Sequence, residues 1–411
     1  MVIKHTCANG VRILLEEVPQ VRSVSLGIWV GTGSRFESKE NNGISHFIEH
    51  MLFKGTKTRN ARQIAEAFDC VGGQVNAFTS KECTCYYAKV LEADASYAMT
   101  VLADMFFHSC FDGQDMEKEK QVIGEEIKMY EDTPDDLVHD LLSAVSFAHH
   151  PLGYPILGHA ETLARFQPDD LRHHMASHYS PNHVVVSIAG HVSADFISEV
   201  EAIFSDRRFV ESADVQSVPI FIPGRIAQKK ETEQAHICFG FSGVSSSDQE
   251  LIPLMVMNNI LGGGMSSRLF QNVREDKGLA YSIFSFHSAY KDSGLLTIYG
   301  GTRNDQLDAL SETVFETIDA FVTHGISDEE LASSKAQIKG NAVFGLESTD
   351  SRMSRNAKNE LIFNRSRSID EFIHQVDATS ADEVIDMARK IFRSSYACAV
   401  VSADGKLPVA V

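Results

Sequence analysis

Cysteine is scarce and irregularly placed: seven residues, an odd number without a repeating spacing, in a chain of 411. That set does not build the disulfide framework of a small secreted domain. Long apolar runs are missing as well, and no stretch approaches the ~18 residues that would cross a bilayer as a helix. Positive charge is in deficit, with 37 Lys and Arg against 56 Asp and Glu and a formal net charge of −19. A chain of that sign repels phosphate backbones, which argues against nucleic acid as a main partner and favours cationic ligands such as Arg- or Lys-rich peptides. Met1-Val2-Ile3-Lys4-His5 passes almost at once into a strand-like run over 11–15, with neither a signal-peptide core nor an Arg/Ser-rich transit segment. The expectation is a soluble protein of a reducing compartment, a bacterial-type cytoplasm.

What is present is ordinary globular material, 43 % hydrophobic and 23 % charged, with ample side chains for a core. At about 150 residues per domain, the length predicts two domains. Period and punctuation predict a strand over 24–30, helices over 44–53 and 61–68, strands over 74–79 and 84–90, and a helix over 95–107. The second half repeats that order, with strands over 236–241, 280–285 and 295–299 and helices over 251–261 and 305–321. A Gly-x-x-x-x-x-Phe frame at Gly72 to Phe78 recurs at Gly278 to Phe284, half a chain length on. The shared order points to internal duplication. The expected architecture is α+β: two similar α/β sandwich domains, each a mainly antiparallel sheet with helices on one side. Pro219, Pro223 and Gly224 place the division at a linker over 213–228, between an N-terminal domain over 1–212 and a C-terminal domain over 229–411.

The sharpest chemical signal is His46-Phe47-Ile48-Glu49-His50. Residues four apart share a helix face, so His46 and His50 can bring two imidazoles to one ion. Such a pair suits zinc, and Glu49 is close enough to reach a metal-bound water without ligating the metal; the alternative is a helix whose histidines merely cap or hydrogen-bond. The order is that of the inverted zinc motif. A third ligand is needed. Over 115–131, Met116, Ile123 and Tyr130 recur every seven residues, with Val122 and Ile127 beside them, and mark a buried helical stripe. Glu119 and Glu126 fall inside that stripe, whereas Glu117 and Glu125 lie toward the polar face. A buried carboxylate is costly unless paired or bound to a cation. Glu126 is therefore expected as the third zinc ligand and Glu119 as a carboxylate that holds a ligand in place. The alternative for both is a salt bridge to a neighbouring Lys or Arg.

The stretch from Asn41-Asn42-Gly43 to Lys54-Gly55-Thr56, the distal Glu119 and Glu126, and the strand Gly72-Gly73-Gln74-Val75-Asn76-Ala77-Phe78-Thr79-Ser80 resemble the pitrilysin family of zinc peptidases. The match runs along nearly the whole chain and is nearest to the half-length branch that includes the mitochondrial processing peptidase. The resemblance implies one zinc per chain held by His46, His50 and Glu126, with Glu49 as the general base that activates water for peptide hydrolysis. It implies that an extended peptide pairs with the 74–79 strand, with Asn76, Ala77 and Phe78 beside the scissile bond and Phe53 lining a pocket. Ordinary core packing is the alternative for Phe53 and Phe78. The second half has Met255-Val256-Met257-Asn258-Asn259 in place of the motif. There the resemblance makes Arg274 and Tyr281 a substrate-contacting pair, the alternative being a surface Arg and a core Tyr. Full-length members close a chamber from four domains, so a two-domain chain implies a dimer, homodimeric or heterodimeric, enclosing short or unfolded, possibly basic, peptides. A non-catalytic scaffold or partner subunit is the competing reading.

Other features carry less. Gly262-Gly263-Gly264 has no P-loop Lys-Ser/Thr behind it. Cys83 and Cys85 share a strand face as packing residues. His149, His150, His173, His174 and His178 are expected to cap helices or face solvent, and Glu131, Asp132, Asp135 and Asp136 to be solvated charge, the alternative being an acidic chamber wall that selects basic peptides.

Overall fold

A computed structural model describes residues 2–205 and 217–409. The first part of the expected linker, 213–216, lies outside the described residues. Two sheets organise the chain. The first joins β1 (Val2–Thr6), β2 (Arg12–Glu17), β3 (Ser23–Val30), β4 (Gln74–Thr79), β5 (Thr84–Leu91) and β6 (Val184–Gly190) in the order β1-β2-β6-β3-β5-β4. The second joins β7 (Arg225–Lys229), β8 (Gln234–Ser242), β9 (Ala280–Ala289), β10 (Gly294–Arg303) and β11 (Tyr396–Ser402) in the order β7-β11-β8-β10-β9. Set side by side, β2-β6-β3-β5-β4 and β7-β11-β8-β10-β9 are one topology used twice. Even the single parallel pairing recurs at the same place, β2 with β6 and β11 with β7, and every other pairing is antiparallel. The duplication expected from element order is thus visible in the sheets, each a mainly antiparallel layer with helices packed on it.

Strand β3 shows how the first sheet is made. Val24, Leu26, Ile28 and Val30 point into the main core, against Ile44, Phe47, Ile48 and Met51 of the helix Ile44–Met51 and Ala98, Val101 and Leu102 of the helix Ala95–His108. The intervening Ser25, Gly27 and Trp29 face the other side, as strand alternation requires. That second face is also covered, which is why the whole strand reads as buried rather than alternating. Its cover is the helix Thr349–Phe363, whose Met353 and Ala357 join Leu14, Trp29 and Cys85 in a separate cluster. A Cβ on Gly27 would stand 2.8 Å from Met353 Sδ, so the missing side chain lets the helix approach. Ser25 donates to Asp350 (2.6 Å), and Arg352 pairs with Glu16 (2.6 Å). The buried Glu360 takes Lys4 (2.8 Å) and Arg12 (3.2 Å). The second sheet repeats the device with the helix Pro134–Ser146, whose Val138 and Leu142 pack on Cys238, Tyr299 and Ala399.

These two helices make each compact unit discontinuous along the chain. Of the described residues, one unit holds 2–127, 154–205 and 344–366; the other holds 128–153, 217–343 and 367–409. The units are therefore not the contiguous halves expected from a cut near 213–228. Pro and Gly punctuation marks where the chain turns, but it does not say on which sheet a helix will lie. Each sheet also carries one more helix than the expected single-sided layer, on its opposite face. All seven cysteines are free thiols, and Cys83 and Cys85 pack in the cluster around Trp29 as expected. No helix among the described residues is long and apolar enough to cross a membrane.

Candidate metal centre

The helix Ile44–Met51 is positioned by its own apolar stripe and by an unusual start. Ile44, Phe47, Ile48 and Met51 recur at helical spacing and are buried. Gly43 precedes the helix with φ 95°, where a Cβ would also stand 2.7 Å from the Leu157 carbonyl oxygen. Glu37 supplies the cap that Gly43 cannot: its carboxylate accepts from Gly43 N–H (2.7 Å), Ser45 N–H (2.9 Å) and the Asn42 amide (2.8 Å). Burial pushes this carboxyl up, and those donors oppose the shift.

On the face beside the stripe stand His46 and His50, ring centroids 4.6 Å apart. Glu126 reaches them from the helix Gly113–Glu131; its Oε2 lies 3.8 Å from His46 Nε2 and 3.6 Å from His50 Nε2. The three ligand atoms lie within 4.8 Å of one another. Zinc held tetrahedrally at about 2.0–2.2 Å from N and O ligands separates those ligands by about 3.3–3.6 Å, so the set fits the ion with little movement. Two imidazoles and one carboxylate also leave a fourth position open, the mark of catalytic rather than structural zinc sites. Among the described residues no Lys or Arg pairs with Glu126, so the ion-pair alternative does not hold there.

Glu119 meets both an imidazole and a cation. Its Oε1 lies 2.8 Å from His50 Nδ1 and its Oε2 accepts from Lys54 Nζ at 2.6 Å. Burial alone would raise this carboxyl, but His50 and Lys54 bring it below the usual range. The buried stripe on this helix is Met116, Glu119, Ile123 and Ile127, whereas Val122 is exposed and Tyr130 only half-buried. Burial holds His46 neutral, pushing its pKa down to about 3, with the His50 charge adding to the effect. Glu49 is shifted the other way: burial raises it, while a 2.5 Å hydrogen bond from Thr79 Oγ1 at the end of β4 and the charge of His50 oppose.

The strand β4 is the outer edge of its sheet, as expected. Its side chains divide by face. Val75 and Ala77 pack toward the main core, Asn76 is exposed with its Oδ1 accepting from Ala77 N–H, and Phe78 turns to the opposite face against Trp29 (5.4 Å between centroids). Phe53 packs on the main core. Both phenylalanines are half-buried and pack against a core cluster, and Asn76 to Phe78 offer a ligand their backbone. In the other unit, the Arg274 guanidinium lies 4.5 Å over the Tyr281 ring and donates to the Tyr281 carbonyl at 2.9 Å. Tyr281 is 76 % exposed, not a core residue.

Sequence reading missed three contributors. Glu37 carries no motif. Thr79 was seen only as a strand residue, although its parity with Val75 and Ala77 puts it on the motif side. Lys54, just beyond the end of the motif helix, meets Glu119 only through the tertiary fold. His174 is buried rather than capping or solvated, whereas the buried His150 caps the short turn Pro151–Gly153 as expected. His150 accepts from Leu152 N–H (3.0 Å), and His174 Nε2 lies 3.4 Å from Ser45 Oγ behind the motif helix.

The duplicated α+β fold with an inverted motif and a distal carboxylate defines a class, and sequence comparison names it. A family model described as insulinase (peptidase family M16) matches residues 12–160, and one described as peptidase M16 inactive domain matches 165–338. The chain belongs to peptidase family M16, the insulinase and pitrilysin family. It is 55 % identical over 408 residues to the uncharacterized zinc protease YmxG of Bacillus subtilis (strain 168), covering 99 % of this chain and 100 % of that one. It is 38 % identical over 397 residues to the uncharacterized zinc protease SCO5738 of Streptomyces coelicolor, covering 94 % and 86 %. A crystal structure of a protease from Helicobacter pylori has the same fold, with TM-score 0.91 at 19 % identity, covering 98 % and 99 %.

Two expectations follow from the buried groups. Glu119→Ala should weaken zinc binding about 10–100-fold, read by competition with a chromophoric chelator; unchanged affinity would leave Glu119 as a partner of Lys54 alone. Burial, together with His178 and His173, pushes His174 down to about 3. Its unfolded value is ordinary, about 6.5, so across that window the unfolded chain binds a proton that the folded chain refuses. Stability of the metal-free protein should therefore fall as pH drops from about 6.5 toward about 3. In His174→Gln the slope of Tm against pH should flatten, and an unaltered slope would clear the ring of this role.

Proposed function

We propose that the chain is a zinc-dependent endopeptidase, binding one zinc through His46, His50 and Glu126 and hydrolysing short or unfolded peptides with Glu49 as general base. The observation that carries the reading is the meeting of those three ligand atoms within 4.8 Å beside a buried carboxylate on the same helix. Bound zinc would supply Lewis acidity at the scissile carbonyl and a water of lowered pKa. The chain's own residues do the rest. Thr79 holds Glu49 Oε2, leaving the other carboxylate oxygen to take the proton of the attacking water and pass it to the departing amine nitrogen. The upward shift of Glu49 makes it a better base than a free carboxylate. Glu119 fixes the His50 ring so that Nε2 faces Glu126.

The unpaired outer edge of β4 offers backbone groups to an extended peptide, which gives affinity with little sequence selectivity. The net charge of −19 supports a preference for basic peptides. In this reading Arg274 and Tyr281 serve a peptide bound at a partner's centre in a dimeric chamber, with a second copy as the simplest partner. The free thiols support a reducing, cytoplasmic setting. The test is hydrolysis of an internally quenched peptide, lost with a chelator and restored by stoichiometric zinc, with the mass in solution measured on the same sample. Zinc bound without any hydrolysis would favour a scaffold subunit, and full activity in a monomer would remove the shared chamber.

A further inference from the structure

A second group of metal-ligating side chains lies within the same unit and has no part in the proposed hydrolysis. Strand alternation puts His5, in β1, and Cys7, just beyond it, on one face. Glu201 meets them from the last turn of the helix Phe196–Phe204. An imidazole nitrogen, a thiol sulfur and a carboxylate oxygen from these three lie within 4.8 Å of one another. Other contacts hold the two elements in place: Asn9 donates to the Phe204 carbonyl at 2.8 Å, and Phe204 is fully buried.

An ordinary His–Glu ion pair explains this arrangement poorly. His5 Nε2 stands 2.9 Å from Glu201 Oε1, yet this buried nitrogen makes no hydrogen bond, because the oxygen is off the axis along which a ring N–H donates. Two ligands turned toward a common third point have that geometry. Cys7 is 3 % exposed, and its sulfur is the soft donor that selects zinc-type ions over magnesium or calcium. Ser205, at the end of the same helix, places its hydroxyl beside the Cys7 thiol.

We propose that His5, Cys7 and Glu201 form a second metal site, for a divalent transition ion of the zinc type, which fastens the first strand to the end of the helix Phe196–Phe204. On binding, the Cys7 S–H proton passes to water and the freed sulfur pair bonds the ion. With Zn–S near 2.3 Å and Zn–N and Zn–O near 2.0–2.2 Å, three ligands of this spacing leave a fourth position for water.

Cobalt(II) distinguishes this site from the His46–His50–Glu126 centre, which contains no sulfur. The full-length metal-free chain, titrated with cobalt(II), should take up two equivalents and develop a near-ultraviolet thiolate-to-cobalt charge-transfer band. Cys7→Ser should lose the band and one equivalent with peptidase activity unchanged, whereas His46→Ala should lose the other equivalent and keep the band. His5→Ala, which retains the thiol, should also fall to one equivalent, so the outcome does not hang on one variant's folding. No band in the parent chain, or a band that survives in Cys7→Ser and so comes from an exposed thiol such as Cys70 or Cys110, would overturn the site.

Discussion

A Glu49→Gln protein should bind zinc as the parent does and cleave peptide at least about a hundredfold more slowly, the lower end of what a positioned general base contributes. The amide is nearly isosteric and can still accept from Thr79 Oγ1, so the 2.5 Å contact to β4 and the helix it anchors stay in place. What it cannot do is take a proton. Because Glu49 is not among the three converging ligand atoms, metal content is the control that separates loss of chemistry from loss of the site. The loss should fall on kcat with KM little changed, since peptide affinity in this scheme comes from backbone pairing along β4. Full turnover in the zinc-loaded variant would sink Glu49 as the base.

Removing Glu126 should act one step earlier. In Glu126→Ala the zinc retained after dialysis should drop from about one per chain to near none, and hydrolysis should go with it. A ligand that binds only the folded state adds about 2.7 kcal/mol of stability at a hundred times its Kd, so the rise in Tm on adding zinc should vanish as well. The side chain is partly exposed, and among the described residues its ion-pair partners are the two imidazoles, at 3.8 and 3.6 Å. As a simple surface carboxylate its removal would change stability by no more than about 0.5 kcal/mol and leave zinc content alone, a result that would break the metal reading. The contrast with Glu119→Ala is informative: a lost ligand abolishes binding, a lost orienting partner weakens it.

Much of this centre was legible in the sequence because its geometry is local. His46 and His50 share a face through the 3.6-residue turn, and Glu119 stood out because a carboxylate occupied an apolar position. Glu126 was found by the same argument, although the structure leaves it half-buried and points it at the imidazoles rather than into the core. Internal duplication was legible too, since element order is written along the chain. Less visible was anything that depends on which face of a strand looks where. Phe78 was read as a contact of the scissile bond, yet parity along β4 sends its ring to Trp29 and leaves Thr79 on the motif side.

By itself, then, the sequence determined the motif helix, the distal carboxylates, the doubled order of elements and the family to which they belong. Tertiary structure alone decided that Glu119 takes Lys54 as well as His50, that Glu37 caps the motif helix, and that His5 and Cys7 meet Glu201. It alone decided to which unit the helices Pro134–Ser146 and Thr349–Phe363 belong. The reason is physical: helical and strand periodicity is set by neighbours a few residues apart, whereas these contacts join segments brought together only by sheet order and the burial of apolar faces, which no short window of sequence contains.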